Sequence, residues 1–160
     1  EDLGEASKDA AVLRKTYGIP GMKILQMSFG NGTPFKSMSE NTVVYTGTHD
    51  NDTCIGWYFS ENGDGTTQSN KEILKERIHA KNVLKLNDID VNWRMVEYSM
   101  KSNANTAIFP MQDILGMDSS ARMNTPGTIG GNWEWRYNQT HLNDGIKHRL
   151  KKLTKETQRI

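Results

Sequence analysis

The chain of 160 residues holds a single cysteine, Cys54, so no disulfide can close within it. That suits a reducing compartment, and a cytoplasmic location is the expectation. An excess of one charge is also missing, with 20 basic side chains against 19 acidic ones. The balance leaves no electrostatic footprint for nucleic acid or for an anionic membrane surface. No apolar run approaches the roughly 20 residues of a membrane helix. The opening EDLGEASKDA is the opposite of a signal peptide. Internal repeats and low-complexity tracts are lacking too. The three N-x-S/T matches, at Asn31, Asn51 and Asn138, are what chance yields in a chain rich in Asn and Thr.

What is present suffices for one domain with a core of ordinary size. SKDAAVLRKTYG reads as a helix capped by Ser7, with Ala10, Leu13 and Tyr17 on one face and Gly18 and Pro20 as stops. MKILQMSF, residues 22–29, reads as a strand apolar on both faces, the mark of a buried parallel strand. A second strand is expected over Thr42–Gly47 and a third over NTAIFP at 105–110. ENGDGTTQSN at 61–70 is the loosest stretch and reads as a mobile loop. Helices are expected over Lys71–Leu84, with Leu74 and Ile78 inward, and over Val91–Lys101, with Val91, Met95 and Tyr98 inward. Residues 111–137 read as a long ordered loop with one short helical turn, before an amphipathic helix over Thr140–Ile160 built on Leu142, Ile146, Leu150 and Leu153. Alternating helices and buried strands predict a parallel α/β sheet. About three strands are thin for a complete domain, and a start at EDLG without Met leads to the expectation of a chain cut from something longer.

TGTHDNDT, residues 46–53, is the densest polar cluster at a strand end. It is no calcium loop, because Cys54 and Ile55 stand where an EF-hand needs an oxygen ligand and Gly. DIDVNW from Asp88 fails likewise, with Trp93 in the glycine position. The four histidines have no zinc spacing. GDGTTQ and GTIGGN lack a complete phosphate-loop pattern, and no G-x-S-x-G elbow supports a nucleophilic serine. No metal site is expected on this pattern.

Carboxylate chemistry at strand ends remains. His49 and Asp50 follow one predicted strand, Gln112 and Asp113 another, and Glu1–Asp2 would follow a third. In an α/β barrel the working side chains lie just past the C-terminal ends of the strands. Converging carboxylates amid Asn, His and Trp make the composition of a sugar site. Alone, Asp50 equally fits an Asx-turn or a helix N-cap, and each tryptophan fits a packing role.

Several blocks in order carry a more specific signal: EDLG at 1–4, YGIPGMKILQ at 17–26, VVYTGTHDNDTCIGWY at 43–58, FPMQDILG at 109–116 and ARMNTPGTIGGNWEWR at 121–136. Together they resemble the C-terminal portion of the amylomaltase, or 4-alpha-glucanotransferase, family of the α-amylase clan. The resemblance implies the C-terminal part of a (β/α)8 barrel, truncated before the end of the nucleophile strand. It implies transfer of α-1,4-glucan segments to the 4-hydroxyl of glucose or maltooligosaccharides, with retention through a covalent glycosyl-enzyme. The resemblance implies neither a metal nor an organic cofactor. By position, Glu1 matches the general acid/base and Asp50 the carboxylate that stabilises the transition state. His49, Asn124, Asn51 and Trp57 are expected to contact substrate. The nucleophilic aspartate of the family lies upstream of Glu1, so the chain by itself is expected to be inactive. A plastid location is the alternative for a plant or algal source. A non-catalytic carbohydrate-binding fragment and an α-glucan hydrolase of the same clan are the competing readings. A structural fragment that pairs with its missing half is a third.

Overall fold

Three short strands, all parallel, form the sheet of the computed structural model, which describes residues 8–30, 35, 38–60, 69–86 and 89–159. β1 (Gly21–Ile24) pairs with β2 (Thr42–Tyr45), and β2 with β3 (Thr106–Ile108), in the order β1-β2-β3. The register sets Gly21 against Thr42 and Val43 against Thr106. β1 is shorter than the expected 22–29. Its ladder runs on through Leu25 N–H to the Tyr45 carbonyl (2.8 Å) and Gln26 N–H to Thr46 (3.2 Å), and then Gln26–Ser28 curl into a 3-10 turn. The Ser28 hydroxyl closes that turn onto the Ile24 carbonyl at 2.9 Å. β2 likewise stops two residues before Gly47, and the Thr46 hydroxyl just past its end donates to Asp113.

Helices flank this sheet. α1 (Lys8–Thr16) precedes it, with Val12 and Leu13 exposed, and the expected cap Ser7 lies outside the described residues. α2 (Cys54–Phe59) was not anticipated; Thr53 caps it by accepting from the Gly56 N–H at 3.0 Å. α3 (Asn70–Leu84) starts at a capping box in which Ser69 and Glu72 satisfy each other's backbone. The expected inward face of α3 is corrected: Leu74 and Ile78 are exposed, while Ile73, Glu76, Ala80 and Leu84 are buried. Apolar residues are spread around α3, so helical spacing admits two stripes and only packing selects one. The loop expected at 61–70 falls mostly on residues 61–68, outside those described.

α4 (Val91–Met100) is buried on two sides. Val91 and Met95 join Leu25, Phe29, Val44, Cys54 and Tyr58 in the main core, against which Tyr98 packs half-buried, its ring 5.4 Å from that of Phe35. Trp93, Val96 and Met100 join Ile114 and Leu153 in a second cluster. Each such fully buried aliphatic side chain contributes about 1.5–3 kcal/mol. That second cluster brings in α5 (Met111–Leu115) and α6 (Asp144–Glu156). Asn143 caps α6, so the expected start at Thr140 moves inward and Leu142 falls in the preceding turn. Beyond α6, the Arg159 guanidinium donates to the carbonyls of Met100 (2.7 Å), Ala104 (2.8 Å) and Ser102 (2.9 Å), pinning this end to α4. No helix among the described residues is long and apolar enough to cross a membrane.

Candidate active site

Parallel pairing points the C-terminal ends of all three strands the same way. The segments that follow them therefore gather at one end of the sheet. There the segments after β2 and β3 border a cavity of about 440 Å³, lined by Tyr45, Gly47–His49, Asn51–Thr53, Ile108–Pro110, Gln112, Asp113, Arg122, Met123 and Trp133, together with Met22 of β1.

The turn 48–51 is fixed from within. Asn51 Oδ1 accepts from the Thr48 N–H and the Thr48 hydroxyl, both at 2.9 Å. The structure thus places Asn51 at the cavity with its carbonyl oxygen already engaged in the turn. Asp50 does not cap α2, a role that belongs to Thr53. Its carboxylate is instead held from two sides: Asn124 Nδ2 donates to Oδ1 at 2.6 Å, and His49 Nε2 stands 3.3 Å from Oδ2. Both the Asp50 and His49 side chains keep close to half of their surface open, 44% and 46%. Asp50 is absent from the cavity lining itself and stands beside it, next to His49.

Backbone contacts lock the late loop onto this turn. The Asn124 N–H donates to the His49 carbonyl at 3.1 Å. Arg122 bridges both segments, Nη2 donating to the Asp50 carbonyl at 2.8 Å and Nε to the Asn124 carbonyl at 3.0 Å. Sequence reasoning passed over Arg122, although a rigid guanidinium fork inside ARMN is well suited to hold two carbonyls at once. Trp133, for which a packing role was expected, is instead exposed at the cavity. Its ring lies 5.0 Å from that of His49, and its backbone is left-handed at φ 63°. For a bulky residue that conformation costs on the order of 1–3 kcal/mol.

Two expectations meet different surroundings. Trp57 lies on α2 away from the cavity; its ring stacks on Phe29 at 5.5 Å, and its carbonyl accepts from Arg77 Nε at 3.1 Å. Asp113 sits at a strand end as foreseen, yet it is buried and bonded on both oxygens. Oδ1 accepts from the Cys54 N–H at 2.7 Å and Oδ2 from the Thr46 hydroxyl at 2.5 Å. Burial pushes its carboxyl above the usual range, and the Cys54 and Thr46 donors pull against that rise. The Cys54 thiol is driven well up by burial and by the Asp113 charge. Gln112, its neighbour, donates to the Ala121 carbonyl at 3.1 Å. Asp113 therefore ties β2, α2 and α5 together, leaving Asp50 as the open carboxylate of this strand-end array among the described residues. Glu1, the expected acid/base, lies outside them. The described residues contain no group of three or more His, Cys, Asp or Glu able to hold a metal ion.

The family model described as 4-alpha-glucanotransferase, glycoside hydrolase family 77, matches residues 1–141. The chain belongs to the 4-alpha-glucanotransferase family. It is 40% identical to the 4-alpha-glucanotransferase of Synechocystis sp. over 163 residues, covering 96% of this chain and 30% of that protein. With the chloroplastic/amyloplastic 4-alpha-glucanotransferase of Arabidopsis thaliana it shares 44% identity over 140 residues, 85% of this chain and 23% of the relative. The amylomaltase from Streptococcus agalactiae, solved in complex with acarbose, superposes with a TM-score of 0.85 at 30% identity. That match covers 99% of this chain and 31% of the amylomaltase. The three parallel strands and their helices are thus part of the TIM barrel of a 4-alpha-glucanotransferase, as the resemblance implied. The chain spans 23% to 30% of the length of these two curated relatives.

Proposed function

We propose that the chain is the C-terminal part of a single catalytic (β/α)8 barrel that moves α-1,4-glucan segments to the 4-hydroxyl of glucose or a maltooligosaccharide. The observation that carries this reading is the Asp50 carboxylate, open to solvent at a strand end and oriented by Asn124 and His49. A side chain so held can grip the ring hydroxyls of a distorted glucosyl unit. Its charge then stabilises the positive charge that grows at the anomeric carbon, without itself bonding to it. His49 and Asn124, already on the carboxylate, offer further donors to the same hydroxyls. Asn51 lines the adjoining cavity. Glu1 would protonate the departing glycosidic oxygen and later take the proton of the acceptor hydroxyl. The nucleophile that forms the glycosyl-enzyme comes from an earlier strand of the barrel. The protein works in the cytoplasm, or in the plastid of a plant or alga.

The chain alone is expected to turn over no glucan. The test therefore joins it, in place of the matching segment, to the rest of the Streptococcus agalactiae amylomaltase. Maltotriose should yield glucose and longer maltooligosaccharides. Asp50→Asn should then lower kcat on the order of 10²–10³-fold or more, with a much smaller loss of acarbose affinity. An Asp50→Asn chimaera that turns over at the parent rate would overturn the assignment.

A further inference from the structure

Trp133 is unlike Trp93, which is buried, and Trp57, which stacks on Phe29: it is 54% exposed and faces the cavity. An indole so placed forgoes about half of its possible burial, and its left-handed backbone at φ 63° opposes folding. The surrounding loop nevertheless holds it there. Gly130 and Gly131, at φ 100° and 70°, turn the chain. Asn132 Oδ1 accepts from the Thr125 N–H at 2.8 Å, and the Trp133 N–H donates to the Met123 carbonyl at 2.7 Å. The loop closes on itself and displays the ring. Against that ring stands His49, 5.0 Å away between centroids and tilted by 35°. His49 also approaches the Asp50 carboxylate.

We infer that His49 and Trp133 form a carbohydrate platform, on which the apolar C–H face of a glucosyl ring adjacent to the one gripped by Asp50 stacks against the indole. The inference rests on the glucanotransferase reading and deepens it. It adds Trp133 as a binding residue that selects for a pyranose chain rather than a lone hydroxyl donor. Stacking uses the indole face as an apolar surface of fixed orientation, while hydroxyls around the sugar's edge stay with Asn and His.

The full chain, its Trp133→Phe, Trp133→Gly and Asp50→Asn variants are titrated with acarbose by calorimetry and tryptophan emission, and each is melted. Trp133→Gly should weaken binding by about tenfold or more, the loss typical of a removed aromatic anchor. Its melting midpoint should hold or rise, because glycine adopts the left-handed backbone without strain. Trp133→Phe should bind within about threefold of the parent, since a smaller ring keeps most of the stacking. The emission change on titration should vanish in both. Unchanged affinity in Trp133→Gly with a persistent emission change overturns the platform. In that case binding that still weakens in Asp50→Asn keeps the glucanotransferase reading. A joint fall of affinity and melting midpoint in Trp133→Gly makes Trp133 a packing residue and also overturns the platform. Failure of the parent chain to bind acarbose overturns the platform, while the glucanotransferase reading is decided by turnover of the amylomaltase chimaera.

Discussion

Asn124 Nδ2 donates to Asp50 Oδ1 at 2.6 Å across 74 positions of sequence. Removing the amide frees one oxygen of a half-open carboxylate, so the side chain samples more than one rotamer. Asn124→Ala in the amylomaltase chimaera should lower kcat by about 10- to 100-fold while the melting midpoint stays put, as expected when orientation is lost. Asn124→Asp should be worse, because it sets two like charges at hydrogen-bond distance. Maltotriose disproportionation rates measure both. Equal rates in all three proteins would show that Asp50 needs no orienting partner.

Asp113 serves stability. Asp113→Ala leaves the buried Cys54 N–H and Thr46 hydroxyl without their acceptor and should cost about 2–3 kcal/mol in urea unfolding. Asp113→Asn keeps an acceptor for the Cys54 N–H and should cost less. Burial raises the folded carboxyl above the ordinary aspartate range, so the folded state holds its proton more tightly than the unfolded chain. The stability this group contributes is therefore full below about pH 3.9, the unfolded value, and is lost as pH rises through the folded value. Urea unfolding of Asp113→Asn across that window should lack this fall.

Gly56 is required by close approach. A Cβ there would stand 2.5 Å from both Asp52 carboxylate oxygens, and closer still to the Ser119 hydroxyl that donates to Asp52. Gly56→Ala should therefore destabilise by about 1–3 kcal/mol, the usual cost of overpacking. Adding Ser119→Ala removes one of the clashing atoms and should recover part of that loss. A double mutant no more stable than Gly56→Ala would locate the clash elsewhere.

The parallel sheet was legible because β1, β2 and β3 carry their own signatures of β-branched or apolar runs. Strand lengths were less so. Whether Leu25–Phe29 continued β1 depended on Gln26 and Ser28, whose side chains bond to Asp52 and Ile24 and favour a turn. The buried face of α3 could not be read, since Ile73 and Leu74 are equally apolar and only the packing of Ala80 and Leu84 chooses between them. Asp50, His49 and Asn124 were proposed from motif blocks, and the structure sets the three side by side. Arg122 escaped notice because its contacts are to backbone carbonyls, and Trp133 was read as packing because neither its exposure nor its positive φ has a one-residue signature. Asp113 misled because a carboxylate at a strand end looks alike in sequence whether it faces solvent or the core.

The bond from Trp133 N–H to the Met123 carbonyl brings the two ends of an extended loop within a single hydrogen bond of each other. A segment whose ends meet can be exchanged without stretching the chain on either side. Residues 123–133 thus form a natural cassette. Loops drawn from other 4-alpha-glucanotransferases could be set into the same two anchor points, with Arg122 and the β2 turn left as they are.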